Sequence, residues 1–353
     1  MKSFHLNGQE YAYLSPYIIA EIGVNHEGDL ERAKRLIEGA AKGGAHAAKF
    51  QTYKAETLAA RDTSPAYWDR KEEAADSQYA LFKRWDNFGD DEYRALAAHC
   101  VECGVDFIST PFDLDAVDLL EPLMPVFKIA SADITNIPLL RRVGATKKPV
   151  VMSVGAARHD ETAVALQELT RAGATDVTLL HCVLNYPTPP ADAQLAQIQE
   201  LARIFGSECP IGYSDHVKPD ADGAMPALEI ATLLGSVVLE KHFTDDKTAK
   251  GNDHYHAMTS ADLAAFNERL GRLRELYGSR ELDLSGQSLA IDKARRRIVA
   301  ARDIASGEKI SADDLIALRS DVGIEIAHWD RVVGRPAARA VASGASVVWA
   351  DIQ

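Results

Sequence analysis

The chain has 353 residues, of which 46% are apolar and 26% are charged, a composition typical of a globular protein and not of a disordered one. Its formal net charge of -13 argues against nonspecific nucleic-acid binding, because phosphate backbones attract Lys and Arg. The N-terminus has no apolar leader and no run approaches membrane-spanning length, so we expect a cytoplasmic protein without membrane contact.

Residues 1–16 predict a small hairpin with Asn7-Gly8 as its tight turn. From residue 17, short apolar runs alternate with amphipathic segments of roughly 10–15 residues, which is typical of β-α units and a parallel sheet. Eight strands are predicted, at 17–22, 45–51, 105–110, 126–131, 149–154, 177–182, 210–215 and 236–242. Most precede a helix, which predicts a (β/α)8 barrel over residues 17–278. A doubly wound sheet is the competing arrangement, although no G-x-G-x-x-G follows the first strand.

Three segments depart from this rhythm. Residues 53–88 form an insertion after the second strand, rich in Tyr, Trp and charge, which we interpret as a lid or a dimer contact. Residues 279–293 are predicted to be a linker. Residues 294–353 contain short β-prone runs separated by SGEK and SGAS turns, which predicts a second, small, mostly β domain.

Polar side chains occur at the ends of seven of the eight predicted strands, where barrel enzymes place their chemistry. A single Ser or Lys at such a position usually caps a helix or is solvated, so the interpretation depends on the repetition. These residues are Glu21, Lys49, Gln51, Thr110, Lys128, Ser131, Ser153, Ser214, His216, Glu240 and His242. The remaining strand is followed at once by Asn185 and Tyr186. All of these ends converge on one opening if the barrel forms.

Lys49 and Lys128 lie inside apolar strands, where an unpaired ammonium group is costly. Three interpretations are open: a structural ion pair with Glu21 or Glu240, a Schiff-base lysine as in barrel aldolases, or a clamp for phosphate. We favour the clamp, because serine hydroxyls from other strand ends accompany the two lysines.

His216 and His242 end neighbouring predicted strands, which places the two imidazoles side by side. Two neutral imidazoles with open positions suit a divalent transition metal. Two ordinary histidines close to loops are the alternative that spacing alone leaves open.

Several motifs resemble the sialic acid synthase (nonulosonate synthase) family, in order and over nearly the whole chain. They are AEIGVNHEGDLERAKRLIEGAAKGGAHAAKFQT, STPFD, FKIASADITNIPLL, HCVLNYPTP, GYSDH, and EKHFT followed by GNDH. Residues 294–353 resemble the antifreeze-like (SAF) domain that follows the barrel in this family. The resemblance implies a TIM barrel with a small β-clip SAF domain. It also implies condensation of phosphoenolpyruvate with an N-acylated mannosamine-type hexose to a neuraminate-, legionaminate- or pseudaminate-type acid, with release of phosphate.

The resemblance implies roles for individual residues. Phosphoenolpyruvate would be held by Lys49, Thr110, Lys128, Ser131, Ser153, Asn185 and Ser214. His216 and His242 would bind a divalent metal, usually Mn2+ with Mg2+ or Co2+ as alternatives, to polarise the sugar aldehyde. The sugar and its proton transfers would be positioned by Glu21, Gln51, Tyr186 and Asp253. Family members are domain-swapped homodimers, so Arg319 would reach the sugar in the partner's barrel.

The chain departs from the family pattern near the sugar. Asn252 in GNDH replaces a common Pro, and the usual Pro-Gly is missing after Arg319. Leu184 takes the place of a frequent Asn, and Asn185 stands one position later, a shift that moves a side chain to the other face of a strand-like segment. We hypothesise that the sugar differs from N-acetylmannosamine. A full kinetic preference for N-acetylmannosamine over di-N-acylated deoxyhexoses would contradict this hypothesis.

Other activities fit the sequence less well. A synthase for a phosphorylated sugar would need extra basic residues at the sugar end, where Arg319 is the one obvious candidate. A Schiff-base aldolase would form an adduct on Lys49 or Lys128 that borohydride traps. A sugar-binding or ice-binding protein would leave the polar strand ends unexplained.

Overall fold

The computed structural model describes residues 2–64, 75–251 and 253–353. Asn252 and part of the insertion, residues 65–74, therefore lie outside the described residues. The chain divides into two compact units, Met1–Tyr277 and Gly278–Gln353. Among the helices within the described ranges, none is both long and apolar enough to cross a membrane.

The first unit opens with an antiparallel hairpin of β1 (Phe4–Leu6) and β2 (Gln9–Tyr11). Its turn holds Asn7 and Gly8 at φ angles of 51° and 78°, a conformation that Asn and Gly tolerate best. Phe4 and Leu6 are buried in one apolar cluster with the first residues of the barrel strands. The hairpin therefore packs against the N-terminal end of the barrel.

Eight parallel strands follow in one sheet: β3 (Tyr17–Gly23), β4 (Ala47–Thr52), β5 (Asp106–Pro111), β6 (Phe127–Ile129), β7 (Val150–Ser153), β8 (Val177–Cys182), β9 (Ile211–Asp215) and β10 (Val238–His242). Their order in the sheet is β5-β4-β3-β10-β9-β8-β7-β6. The first and last strands along the chain are neighbours, as the closing of a ring requires. The sheet is a nearly closed (β/α)8 barrel, so the predicted TIM barrel is confirmed and the doubly wound sheet is wrong.

Helices surround this sheet: α1 (Leu30–Gly43), α2 (Ala55–Leu58), α3 (Gln78–Phe82), α4 (Asp90–Cys103), α5 (Leu114–Leu120), α6 (Ile137–Ala145), α7 (His159–Ala172), α8 (Gln197–Phe205), α9 (Pro226–Leu233) and α10 (Ser260–Tyr277). α1 illustrates how they begin and end. The Asp29 side chain accepts a hydrogen bond from the Arg32 backbone N–H, and Gly44 ends the helix with φ of 88°. The apolar stripe of α1 is buried in the main core between helices and strands.

Residues inside the barrel change from apolar to polar along the strands. Ile19, Ala47 and Ile108 belong to the apolar cluster at the N-terminal end. Two residues further along the same strands lie Glu21, Lys49 and Thr110. On β10, Glu240 and His242 follow the apolar Val238 by two and four residues and face the same end of the barrel. All of these polar side chains are buried, so the C-terminal end of the barrel holds the polar groups that the sequence predicts.

The second unit contains α11 (Ser288–Ala294), β11 (Arg296–Ala300), β12 (Leu315–Arg319) and α12 (Trp329–Val332). β11 and β12 pair antiparallel, and isolated bridges join further short extended segments. Its separate core includes Ile298, Ile310, Val332 and Val347. A small, mostly β domain is thus present after the barrel, and most of α11 lies in the segment predicted to be a linker.

Candidate active site

A cavity of about 380 Å3 opens at the C-terminal ends of the barrel strands. Most of the site residues predicted from the sequence line it, namely Glu21, Lys49, Gln51, Thr110, Lys128, Ser131, Ser153, Tyr186, Ser214, His216, His242 and Asp253. We call the part formed by the two lysines, Glu21, Glu240 and the hydroxyls the floor. The part formed by Tyr186, Asp253 and the residues of the insertion is called the mouth.

The two lysines of the floor are each paired with a buried carboxylate. Lys49 Nζ lies 2.6 Å from Glu21 Oε2 and donates a hydrogen bond of 3.1 Å to Thr110 Oγ1. Lys128 Nζ lies 3.4 Å from Glu240 Oε1, which also accepts a 3.1 Å hydrogen bond from Ser214 Oγ. The ion pairs considered from the sequence therefore exist. These ion pairs do not exclude a phosphate clamp, because both lysines also line the cavity.

Burial and charge separate the protonation behaviour of the two glutamates. Burial raises the pKa of Glu21 to about 7, although Lys49 favours its charged form. Burial alone would also raise the pKa of Glu240, but attraction by Lys128 and Lys49 lowers it. Burial lowers the pKa of Lys128 despite its attraction to Glu240. At neutral pH the floor thus holds an ionised Glu240 beside a Glu21 that is poised to gain or lose a proton.

Backbone geometry fixes Glu21 in this position. β3 shifts register between Glu21 and Gly23, where Gly23 has φ of 55°. A Cβ at Gly23 would lie 3.3 Å from Glu21 Oε1 and 3.2 Å from Gln51 Nε2, so this site favours glycine. Gln51 Nε2 donates a 3.0 Å hydrogen bond to Glu21 Oε1. Glu21 is therefore held between Lys49 and Gln51.

Two serines of the floor differ in what they contact. Ser131 Oγ accepts a 2.9 Å hydrogen bond from the backbone N–H of Gly155. Ser153 Oγ is buried and has no hydrogen-bond partner within the described part of the chain, and the same holds for Glu240 Oε2. Buried polar atoms without a partner are rare in native proteins. Their presence beside a cavity indicates a polar ligand.

His216 and His242 lie side by side with their ring centroids 5.4 Å apart. His216 Nδ1 lies 2.8 Å from the carbonyl oxygen of Val183, which can only accept, so Nδ1 carries the proton and Nε2 carries the lone pair. Burial lowers the pKa of His216 to about 4, and it lowers the pKa of His242 well below the usual range. Both rings are therefore neutral near pH 7, which is the form that binds metals.

These two imidazoles fit the predicted metal centre. In residues 2–64, 75–251 and 253–353, no three His, Cys, Asp or Glu side chains are arranged to hold a metal ion. The prediction requires two histidines, with the other positions open to water and substrate. The lone pair on His216 Nε2 suits that role, and both the binding of a metal and its identity stay predictions.

Asp253 lies at the mouth between two histidines. Its Oδ2 lies 3.3 Å from His242 Nδ1, and its Oδ1 lies 3.1 Å from His256 Nε2. Burial alone would raise the pKa of Asp253, but its interactions with His242 and His256 lower it. Tyr186 packs over His216 with ring centroids 4.1 Å apart. The mouth therefore presents an ionised carboxylate and a tyrosine close to the histidine pair.

Several residues that line the cavity are not among those predicted from the sequence. Apolar side chains from the insertion and the strand ends line the mouth, namely Tyr53, Leu58, Leu81, Phe82, Trp85 and Phe112. The aromatic residues of the insertion are the sequence signal for this apolar lining. They do not lie at strand ends, so a search of strand ends does not find them. Asp133 also lines the cavity, and burial raises its pKa. Asp133 lies two residues after Ser131 in the FKIASADITNIPLL motif, where it could have been found.

One predicted residue of the first unit, Asn185, does not line this cavity. Asn185 lines a second cavity of about 480 Å3, whereas Leu184 lines both. The shift of Asn by one position explains this placement, and the position of Asn185 does not support its predicted contact with phosphoenolpyruvate. Arg319 is exposed at the end of β12 in the second unit, and Asn252 lies outside the described residues.

Family models match both units of the chain. The model of the NeuB family matches residues 36–281, and the SAF domain model matches residues 295–353. The chain belongs to the NeuB family. The resemblance to sialic acid synthases that the motifs carry is thereby confirmed.

Relatives in the NeuB family cover nearly the full chain. The N,N'-diacetyllegionaminic acid synthase of Legionella pneumophila is 34% identical over 96% of this chain and 94% of its own. The N-acetylneuraminate-9-phosphate synthase of Drosophila melanogaster is 32% identical over 91% of each chain. The structure of the N-acetylneuraminic acid (sialic acid) synthetase of Leptospira borgpetersenii superposes with a TM-score of 0.69 at 30% identity, over 82% of this chain and 95% of that chain. These names differ in the acid and in phosphorylation, so membership of the NeuB family does not name the sugar.

Proposed function

We propose that this protein is a nonulosonic acid synthase that condenses phosphoenolpyruvate with an unphosphorylated N-acylated mannosamine-type hexose and releases phosphate. The observation that carries this proposal is the floor, where two buried lysines and several hydroxyls line one cavity of a NeuB-family barrel. Charge-assisted hydrogen bonds from such groups suit the phosphate and carboxylate of phosphoenolpyruvate. The donors that we assign to this substrate are Lys49, Lys128 and the Ser153 hydroxyl, which has no partner among the described residues.

The reaction balances without an oxidant or a reductant. C3 of phosphoenolpyruvate attacks the aldehyde carbon of the open-chain sugar, which forms the new carbon–carbon bond. Water adds to the cationic C2, and the tetrahedral intermediate loses inorganic phosphate by C–O cleavage, leaving a 2-keto acid. One proton of that water ends on the former aldehyde oxygen and the other on phosphate. Glu21 has a pKa of about 7, which suits a group that takes up and returns a proton during these steps.

Residues of this chain orient the sugar and hold the metal. His216 and His242 would hold a divalent metal, which we propose to be Mn2+, and such a metal would polarise the aldehyde oxygen of the sugar. We assign Asp253 and Tyr186, which both line the cavity, to sugar hydroxyls at the mouth. Gln51 donates a hydrogen bond to Glu21 and so holds its carboxylate within the cavity.

The mouth favours an acceptor without phosphate. Among the described residues that line the cavity, the basic side chains are Lys49 and Lys128 of the floor and the two histidines of the proposed metal centre. Most of the described insertion residues that line the mouth are apolar, including Leu81, Phe82 and Trp85, with Gln78 as a polar exception. Among the described residues of this chain, none at the mouth would supply a Lys or Arg to a buried phosphate group, whereas the methyl groups of acyl amides would be well accommodated.

We also propose a homodimer in which Arg319 of the partner subunit reaches the sugar. Arg319 is exposed at the end of β12, which leaves its guanidinium accessible to a second copy. Arginine there would act on sugar hydroxyls or on the carboxylate of the product. Cytoplasmic location stays a prediction from the sequence.

Phosphate release tests the proposed function directly. Purified protein is incubated with phosphoenolpyruvate, Mn2+ and a panel of N-acylmannosamines, and inorganic phosphate is measured with and without chelator. We expect release that requires both sugar and metal and returns when Mn2+ is added after chelation. Absence of release with every sugar, from a folded and metal-loaded protein, would overturn the proposal.

One observation favours a second candidate, a Schiff-base aldolase. Burial lowers the pKa of Lys128, as an amine nucleophile requires. Incubation with pyruvate and borohydride, followed by mass spectrometry, distinguishes the two activities. A reduced adduct on Lys128 would support the aldolase, and an unmodified lysine in an enzyme that releases phosphate supports the synthase.

A further inference from the structure

His256 is a fully buried residue beside the mouth to which the proposed reaction assigns no step. It ends the short turn His254–His256 that follows Asp253. Its ring packs edge-on against His242 and Tyr255, with centroids 5.0 Å and 4.9 Å away. Its side chain is 0% exposed, although imidazole is polar on two of its ring atoms.

The two ring nitrogens of His256 have different surroundings. Nε2 lies 3.1 Å from Asp253 Oδ1, which as a carboxylate oxygen accepts the hydrogen bond. Nδ1 is buried and finds no partner anywhere in the described ranges of the chain. Burying an unpaired polar atom is unfavourable, and an apolar side chain could fill the same space without that penalty. The contact with Asp253 is therefore the polar function that this ring performs.

Hydrogen bonds hold Asp253 at two points, its backbone N–H and one carboxylate oxygen. Its backbone N–H donates a 3.2 Å hydrogen bond to Asn25 Oδ1, and the Asn25 side chain donates to the carbonyl oxygen of Phe243 directly after β10. His256 holds one carboxylate oxygen, which leaves the other 3.3 Å from His242 Nδ1. Without His256 the carboxylate could rotate about its side-chain torsions, because Asn25 fixes only the backbone.

We propose that His256 is a positioning residue that fixes the Asp253 carboxylate for contact with the acceptor sugar. This inference rests on the proposed function, since it assigns Asp253 to the sugar. The Asp253 carboxylate that His256 positions would contact a sugar hydroxyl and not phosphoenolpyruvate, because Asp253 lies at the mouth and the lysines lie at the floor.

Kinetics of two variants test this role at saturating Mn2+. His256→Leu removes the donor and keeps an apolar side chain of similar bulk, whereas His256→Gln retains an amide donor near the position of Nε2. We expect His256→Leu to lower kcat/KM for the sugar by about 10-fold or more, as is common when a group that orients an active-site residue is lost. The KM for phosphoenolpyruvate should change by less than about 2-fold, and His256→Gln should recover most of the activity.

A double-mutant cycle asks whether the effect passes through Asp253. In an Asp253→Asn background, His256→Leu should cause little further loss, because the carboxylate that it positions is already gone. His254→Gln is the matched control. His254 is equally buried, but its ring nitrogens lie 2.7 Å from Thr244 Oγ1 and 3.4 Å from Glu27 Oε1 and not against the Asp253 carboxylate. We expect its variant to lower thermal stability without raising the sugar KM.

The outcomes separate this inference from the proposed function. A wild-type enzyme that releases no phosphate with any sugar overturns the proposed function and this inference together. An active enzyme whose His256→Leu variant keeps the wild-type kcat/KM for sugar overturns the inference alone. Equal losses from His256→Leu with and without Asp253 also overturn it, since His256 would then act independently of that carboxylate.

Discussion

The floor and the mouth of the cavity are built in different ways. The floor consists of residues on or directly after barrel strands, such as Lys49 on β4, Lys128 on β6 and Ser153 on β7. The mouth consists of loop residues and two short helices, which carry Tyr186, Asp253 and the apolar residues of the insertion. Ion pairs and hydrogen bonds fix the floor, whereas ring packing and apolar contacts dominate the mouth.

This difference separates the part of the cavity that the barrel strands fix from the part that the loops can vary. The alternation of a strand fixes the direction of each floor residue, so the same anionic substrate can be bound whenever the strands form. Loops that connect strands to helices can change without disturbing the barrel. We therefore assign phosphoenolpyruvate to the floor and the choice of sugar to the mouth.

The largest effect is expected from breaking the floor. Lys49→Met removes one lysine of the clamp and leaves Glu21 without its ion-pair partner at 2.6 Å. We expect kcat to fall by about 100- to 1000-fold, as when a preorganised electrostatic group is removed from an active site. Steady-state kinetics with both substrates measures this.

Lys241→Met is the matched control for that variant. Lys241 forms an equally buried ion pair with Asp215 at 2.7 Å, but it does not line the cavity. Both variants should lose about 3–5 kcal/mol of unfolding free energy, as is usual when one partner of a buried pair is removed. Similar losses of activity in both would show that Lys49 acts through stability alone.

The next effect distinguishes the two carboxylates by pH. Burial raises the pKa of Glu21 from 4.5 to about 7, so the native state binds this proton more tightly than the unfolded state. Its contribution to the free energy of unfolding is full below pH 4.5 and is lost as pH rises through about 7. The stability difference between wild type and Glu21→Gln should therefore decrease from pH 5 to pH 8 in urea unfolding.

Asp253 should show the opposite slope. Its pKa is lowered from 3.8 by His242 and His256, which outweigh burial, so its contribution is present above that pH and is lost as pH falls. The stability difference between wild type and Asp253→Asn should decrease only below about pH 4 and stay flat from pH 5 to pH 8. Parallel pH curves for Glu21→Gln and Asp253→Asn would contradict the assigned protonation states.

A smaller effect is expected from the apolar side of the mouth. Leu81→Ala removes contact area from the sugar end and leaves the floor unchanged. We expect the sugar KM to rise about 5- to 20-fold, in line with the loss of one or two kcal/mol of apolar burial, and the phosphoenolpyruvate KM to stay constant. Leu276→Ala, at an exposed position of α10, is the control that should change neither constant.

The smallest effect is expected from Asn185. It lines the second cavity and not the one that holds the lysines, so Asn185→Ala should leave the phosphoenolpyruvate KM within about 2-fold. Ser153→Ala removes a hydroxyl from the first cavity and should raise that KM by a larger factor. An increase for Asn185→Ala that equals the one for Ser153→Ala would place Asn185 at the substrate after all.

The residues of the floor could be predicted from the sequence because they lie on or directly after regular strands. Lys49 and Lys128 are identified by their position in apolar strands, and their neighbours follow from the order of strands in the barrel. Asp133 was missed because it lies beyond the strand end, in a short turn before α6. The direction of a side chain in such a turn can be assigned only when the turn geometry is known.

The mouth could not be predicted in the same way. His256 is separated from Tyr186 by about 70 positions of sequence, and loop geometry brings their rings to 5.9 Å. Asn185 was placed by a motif whose register is shifted by one residue in this chain. A loop has no period from which the direction of its side chains can be derived, so the structure was needed for both.

Acceptor specificity tests the division between floor and mouth most directly. The value of kcat/KM is measured for N-acetylmannosamine, its 6-phosphate and a di-N-acylated deoxyhexose, each with phosphoenolpyruvate and Mn2+. We expect both unphosphorylated sugars to exceed the 6-phosphate by about 100-fold or more, since the described residues of the mouth offer no Lys or Arg to a phosphate, and a phosphate buried without such a partner loses several kcal/mol. A preference for the 6-phosphate would contradict the assignment of the mouth, and absence of turnover with all three would contradict the proposed function.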